Sequence, residues 1–138
     1  MRYLPAMLLI AATLSAATPI VAAESVAADD VAAGKALYRR LCASCHGVDG
    51  RGDGPVAPAL GERPTDLTTI AREHDGTFSA LAVATAIDGT TMPRAHGVSD
   101  MPVWGEVLAG PDADDAGVAK ARDAILLLTD YLRSIQRP

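Results

Sequence analysis

Cys42, Cys45 and His46, within the run Cys42-Ala43-Ser44-Cys45-His46, have the types and spacing for covalent haem attachment. Residues i and i+3 share one face of a helical turn, with Cβ atoms roughly 5–6 Å apart. Two thiols so placed reach the two vinyl groups along one edge of a haem and form thioethers. The imidazole of the next residue then swings beneath the ring to the iron, so ligation by His46 is effectively intramolecular. Other chemistries suit the run less well. A thioredoxin-like redox pair wants a βαβ setting, whereas the segment before Cys42 reads as a helix. A zinc site needs two further ligands; the only other histidines are His74 and His96, and there is no second C-x-x-C. A structural disulfide between residues three apart has poor Cβ geometry.

A second ligand to the iron has candidates in the segment MPRAHGVSDMPVWG, residues 92 to 105. Met92 and Met101 each precede a proline, which holds them extended and outside a helix. A methionine on a stiff loop facing a haem suits ligation better than core packing. His96 is the rival: paired imidazoles make a low-potential centre, whereas methionine opposite histidine raises the potential.

Helices must hold these groups. Val31, Leu37, Tyr38, Leu41, Cys42 and Cys45 fall on one helical face, with Asp29 or Asp30 as the cap. Gly34 inside that helix costs about 1 kcal/mol against alanine, which favours a close helix crossing over a neutral surface position. Residues 47–68 are too rich in glycine and proline for a regular element. A proline-stiffened loop directly after His46 is suited to presenting a carbonyl to the second ring N–H of a metal-bound imidazole. Arg51 and Arg63 flank it, either as propionate partners or, more simply, as solvated side chains. Thr77 is expected to cap a short helix carrying Phe78, Leu81, Val83, Ala84 and Ile87 and closed by Gly89, with His74 ahead of it on the surface. After Gly110-Pro111, Val118, Ala121, Ile125, Leu128, Leu132 and Ile135 step by 3, 4, 3, 4 and 3, an amphipathic helix. Arg133 and Arg137 suit its C-terminal end.

Residues 1–23 read as a secretory signal: Arg2, an apolar stretch from Leu4 to Ala17, and small residues at Val21-Ala22-Ala23. The apolar run, interrupted by Pro5, Ser15 and Pro19, is short for a spanning helix, which needs about 20 residues. Cleavage after residue 23 of 138 leaves 115 residues, 24–138, starting at Glu24 and forming one domain. Without Arg2, 11 basic residues face 17 acidic ones, a net charge of −6 with neutral histidine. That disfavours nucleic acid as a partner, and none is expected. With two cysteines in all, a multi-disulfide scaffold is excluded too. Tyr38, Phe78, Trp104 and Tyr131 are few aromatics for such a core, and a buried haem would supply the missing flat apolar bulk.

Gly34-x-x-x-Tyr38 followed by Cys42-x-x-Cys45-His46-Gly47, with Met101-Pro102-Val103-Trp104-Gly105 further on, resembles class I c-type cytochromes. The likeness covers essentially the whole mature chain at the level of motifs. It implies an all-α cytochrome c fold, in which N- and C-terminal helices cross through a glycine and an aromatic contact around one covalently bound haem c, with long loops. Leu128, Tyr131 and Leu132 are the expected partners of the Gly34 region. The resemblance also implies Pro58, with Pro55 second, as the carbonyl that receives the His46 N–H. It implies Met101 rather than Met92 as the axial ligand, with Trp104 against the haem edge and its indole N–H toward a propionate.

An iron with two strong protein ligands has no vacancy for substrate, which leaves one-electron exchange through an exposed haem edge. The expectation is a monomeric periplasmic electron carrier rather than an enzyme, cycling Fe(III) and Fe(II) between a redox-protein donor and acceptor. A membrane-bound respiratory complex is a candidate partner. Three alternatives remain: an electron-entry subunit of a larger dehydrogenase or oxidase, a haem enzyme or gas sensor with a labile Met101 bond, and a haem-free thiol protein.

Overall fold

The computed structural model describes residues 28–90 and 100–138. The expected signal segment 1–23, Met92 and His96 lie outside the described residues. The described residues are helical with no strand, as the all-α expectation requires. The helices are α1 (Ala28–Leu41), α2 (Ala43–His46), α3 (Ile70–Glu73), α4 (Ala80–Asp88), α5 (Trp104–Ala109) and α6 (Asp115–Ser134), with a 3₁₀ turn at Ala57–Ala59. None of the helices among the described residues is long and apolar enough to cross a membrane.

α1 and α6 form the frame. Asp29 and Asp30 lie within the first turn of α1 and Arg39 and Arg40 in its last, matching the helix dipole at both ends. Where α1 meets α6, a Cβ on Gly34 would lie 2.0 Å from the Leu127 carbonyl oxygen and 2.9 Å from Tyr131 Cβ. The glycine is there because the two backbones touch. One turn on, Tyr38 is fully buried, and its ring stands 5.1 Å from that of Tyr131 at a 49° tilt, an attractive aromatic arrangement. Of the expected Gly34 partners, Tyr131 meets it directly, while Leu128 and Leu132 are buried in the same core. The Tyr38 hydroxyl donates to the Gly47 carbonyl at 2.6 Å, so the crossing reaches the residue directly after His46.

Asp114 caps α6, its side chain accepting the Gly117 N–H at 2.8 Å. The expected stripe is buried from Ala121 to Leu132, but Val118 in the first turn is 54% exposed. In α4 the cap is Ser79, not Thr77: its hydroxyl oxygen accepts the Ala82 N–H at 3.3 Å. Gly89 ends that helix in the left-handed conformation at φ 70°. Val83 and Ile87, one turn apart, define the inward face. Leu81, about 200° round the helix from Val83, is 79% exposed rather than packed. α5 was not anticipated; Gly105, buried in its first turn, sits where a Cβ would collide with the Asp88 side chain.

Replacing Gly34 with alanine must push the two backbones apart. Gly34→Ala is expected to cost about 1–3 kcal/mol, the usual range for an overpacked core, read as a lower denaturant midpoint. An unchanged midpoint would show that the crossing yields to a methyl group.

Candidate functional site

α2 is a single turn, and the loop that follows it is wound around its C-terminal end. A helix leaves its last carbonyls without internal partners. Here Val56, Gly54 and Gly52 donate their N–H groups to the carbonyls of Ser44, Cys45 and His46 at 3.0, 3.1 and 2.8 Å. Gly54 packs so closely that a Cβ would lie 2.4 Å from the Ser44 oxygen. The glycine-rich run is therefore a fitted wrap that fixes the Cys42–His46 turn, not a loose surface loop.

The wrap also decides which carbonyl meets His46. Val56 is bonded to Ser44, and Pro58 follows in the 3₁₀ turn at Ala57–Ala59. The chain returns to the imidazole only at Thr65, whose carbonyl oxygen lies 3.0 Å from His46 Nδ1. This corrects the expectation for Pro58 and for Pro55: neither lines the cavity described below. A carbonyl oxygen only accepts, so Nδ1 carries a proton, and in the neutral imidazole Nε2 keeps its lone pair. That is the tautomer a metal ligand requires.

Cys42, Cys45 and His46 line one wall of a cavity of about 420 Å³, within the range of small-cofactor sites. Val83 and Ile87 of α4 and Leu128 and Leu132 of α6 are also part of the lining, which is predominantly apolar. Met101 and Trp104 line it too; Met101 is 37% exposed and Trp104 half-buried at the start of α5. The structure thus brings together Cys42, Cys45, His46, Met101 and Trp104 and leaves out Pro58. Arg51 and Arg63 are exposed and do not line the cavity, whereas His74, though exposed, does.

The cysteines are free thiols and are not bridged to each other. Burial, reinforced by the neighbouring Cys45, pushes the Cys42 thiol up to about 11. That is the reverse of the lowered thiol pKa of a thioredoxin-like nucleophile. Burial likewise raises the Tyr38 phenol well above its ordinary value, which keeps it a donor to Gly47. Beyond Thr65, the Thr68 hydroxyl, with the Thr68 N–H and Arg137, holds the Asp66 carboxyl below its ordinary value. Two unbridged thiols and an imidazole with a free Nε2, all on the wall of one apolar cavity, form a donor set that fits a haem bound through thioethers.

Sequence reasoning missed Thr65. The available signal was Pro64-Thr65-Asp66-Leu67-Thr68, an Asp two residues before a Thr, which is a turn-forming pattern. The Asp66 side chain indeed accepts the Thr68 N–H at 2.9 Å and its hydroxyl at 2.6 Å.

The family model described as Cytochrome c matches residues 31–135 of the 138-residue chain. No curated protein and no solved structure matches it. The match runs from the first turns of α1 to the end of α6 and takes in the whole cavity wall, so the chain belongs to the cytochrome c family, whose members carry haem c bound covalently.

Proposed function

We propose that this cytochrome c is a periplasmic one-electron carrier whose iron is held by His46 and Met101. The observation that carries the reading is the His46 imidazole, its Nδ1 proton committed to the Thr65 carbonyl, sharing one apolar cavity with Cys42, Cys45 and Met101. Bound there, haem c supplies a reversible one-electron couple between Fe(III) and Fe(II).

The chain's own residues do the rest. Cys42 and Cys45 give their sulfurs to the thioethers and so fix the ring against α2. His46 offers Nε2, and its orientation is set by Thr65. Met101 supplies a neutral thioether, which favours the reduced iron more than a second imidazole would. Asp100, beside it, accepts the Gly61 N–H at 2.8 Å, which ties the Met101 segment to the loop that follows His46. Val83, Ile87, Leu128 and Leu132 line the cavity with apolar side chains, which would hold haem in a medium of low polarity. Trp104 packs at the same cavity and is assigned to the haem edge. With its iron held by His46 and Met101, the haem would supply electron exchange with a redox-protein donor and acceptor rather than a place for a substrate. The carrier acts as a monomer, with a membrane-bound respiratory complex among its partners. Export by residues 1–23 accounts for thiols that meet haem on the far side of the membrane.

Two measurements test this reading. In the oxidised protein, Met101→Ala is expected to abolish the thioether-to-iron absorption band while Met92→Ala leaves it intact; the reverse pattern would move the ligand to Met92. The haem-bearing protein recovered from the periplasm is expected to begin at Glu24. An intact residue 1 in that fraction would contradict cleavage after Ala23.

A further inference from the structure

The end of α6 is bonded to the loop that serves His46, through residues the reading above does not use. Gln136 Nε2 donates to the Leu132 carbonyl at 2.8 Å, an ordinary satisfaction of a helix end. It also donates to the Leu67 carbonyl at 2.7 Å, and its Oε1 accepts the Ala71 N–H at 2.9 Å. The Arg137 main-chain N–H donates to the Thr68 carbonyl at 2.8 Å. Its side chain donates from Nε to Thr68 Oγ1 at 2.7 Å and from Nη2 to Asp66 Oδ2 at 3.1 Å. The partners span residues 66–71, directly after Thr65. On the other side, the Leu67 N–H donates to the Gly50 carbonyl at 2.7 Å. Residues 66–71 are therefore gripped between the wrap around α2 and the chain beyond α6.

We propose that Gln136 and Arg137 are positioning residues for the iron ligand: by clasping residues 66–71 they hold the Thr65 carbonyl against His46 Nδ1 and so set how strongly the imidazole donates to iron. The proposal rests on reading His46 as that ligand. A ring N–H held firmly by a carbonyl makes the opposite nitrogen more basic, and a more basic ligand favours Fe(III) over Fe(II). The Arg137–Asp66 ion pair is partly exposed, and such a pair alone does little. The amide and main-chain bonds of Gln136 and Arg137 are what restrain the loop, acting together as a network.

Gln136→Ala and Arg137→Lys both preserve net charge, so neither adds a through-space charge effect to the potential. The test is potentiometric titration of the haem-bearing variants, with thermal unfolding measured in parallel. Gln136→Ala is expected to raise the reduction potential, changing the ratio of reduced to oxidised protein at a fixed poise by up to about tenfold, ~59 mV for one electron. Arg137→Lys is expected to shift it less, in the same direction. A lower unfolding midpoint with an unchanged potential would make the clasp purely structural and overturn the proposal. If Gln136→Ala fails to acquire haem, Arg137→Lys decides by the same readout. A His46→Ala control separates the two levels: an absorption spectrum indifferent to loss of His46 would overturn the underlying ligand reading. A His46-dependent spectrum beside unmoved potentials would overturn the clasp alone.

Discussion

Everything in this fold depends on the contact between Gly34 and the Leu127 carbonyl, where a single added carbon would lie 2.0 Å from the oxygen. That closeness sets the distance between α1 and α6, and with it the tilted packing of Tyr38 on Tyr131. From the same tyrosine, one hydroxyl reaches the Gly47 carbonyl. The crossing, the aromatic pair and the start of the loop after His46 are thus one connected set of contacts. Leu128 and Leu132 lie at the same crossing and face the cavity, so the surface that holds the helices together also forms part of the cofactor site.

The second constraint is the treatment of α2. A one-turn helix has little stability of its own, because nucleation is costly and few bonds follow. This one is held by the loop that takes up its last carbonyls, and the loop is held in turn by Gln136 and Arg137. α1 and the segment after α6 therefore converge on the Cys42–His46 turn, one through Tyr38 and the other through residues 66–71. Rigid support of this kind suits a site whose task is to change charge without changing shape.

The helical frame was legible in the sequence because its signals are local or periodic. Gly34 inside an apolar stripe, and a second stripe stepping by three and four, each name one face. The Cys42–His46 run names its own chemistry. What escaped depends on how the loop folds in space. The resemblance to class I cytochromes pointed to Pro58, yet the glycines at 52 and 54 turn the chain back along α2 and bring Thr65 to the imidazole instead. The choice of Ser79 over Thr77 was a contest between two adequate caps. The clasp joins residues more than sixty positions apart, and neither Gln136 nor Arg137 has a pattern that announces a partner at that separation. Met92 and His96 lie outside the described residues, so the preference for Met101 draws on the resemblance of Met101-Pro102-Val103-Trp104-Gly105 to the class I pattern and on the place of Met101 at the cavity.

The functional reading needs an iron site closed on both sides by protein. A cavity with an imidazole on one wall and a thioether among its other lining residues has the donors for that. The most direct measurement is the visible spectrum of the reduced haem-bearing protein before and after carbon monoxide is admitted. A covalent c-type spectrum that does not change is the predicted result and accords with two protein ligands on the iron. A spectrum altered by carbon monoxide would contradict the closed site and favour a labile or open sixth position, the arrangement of an enzyme or a gas sensor.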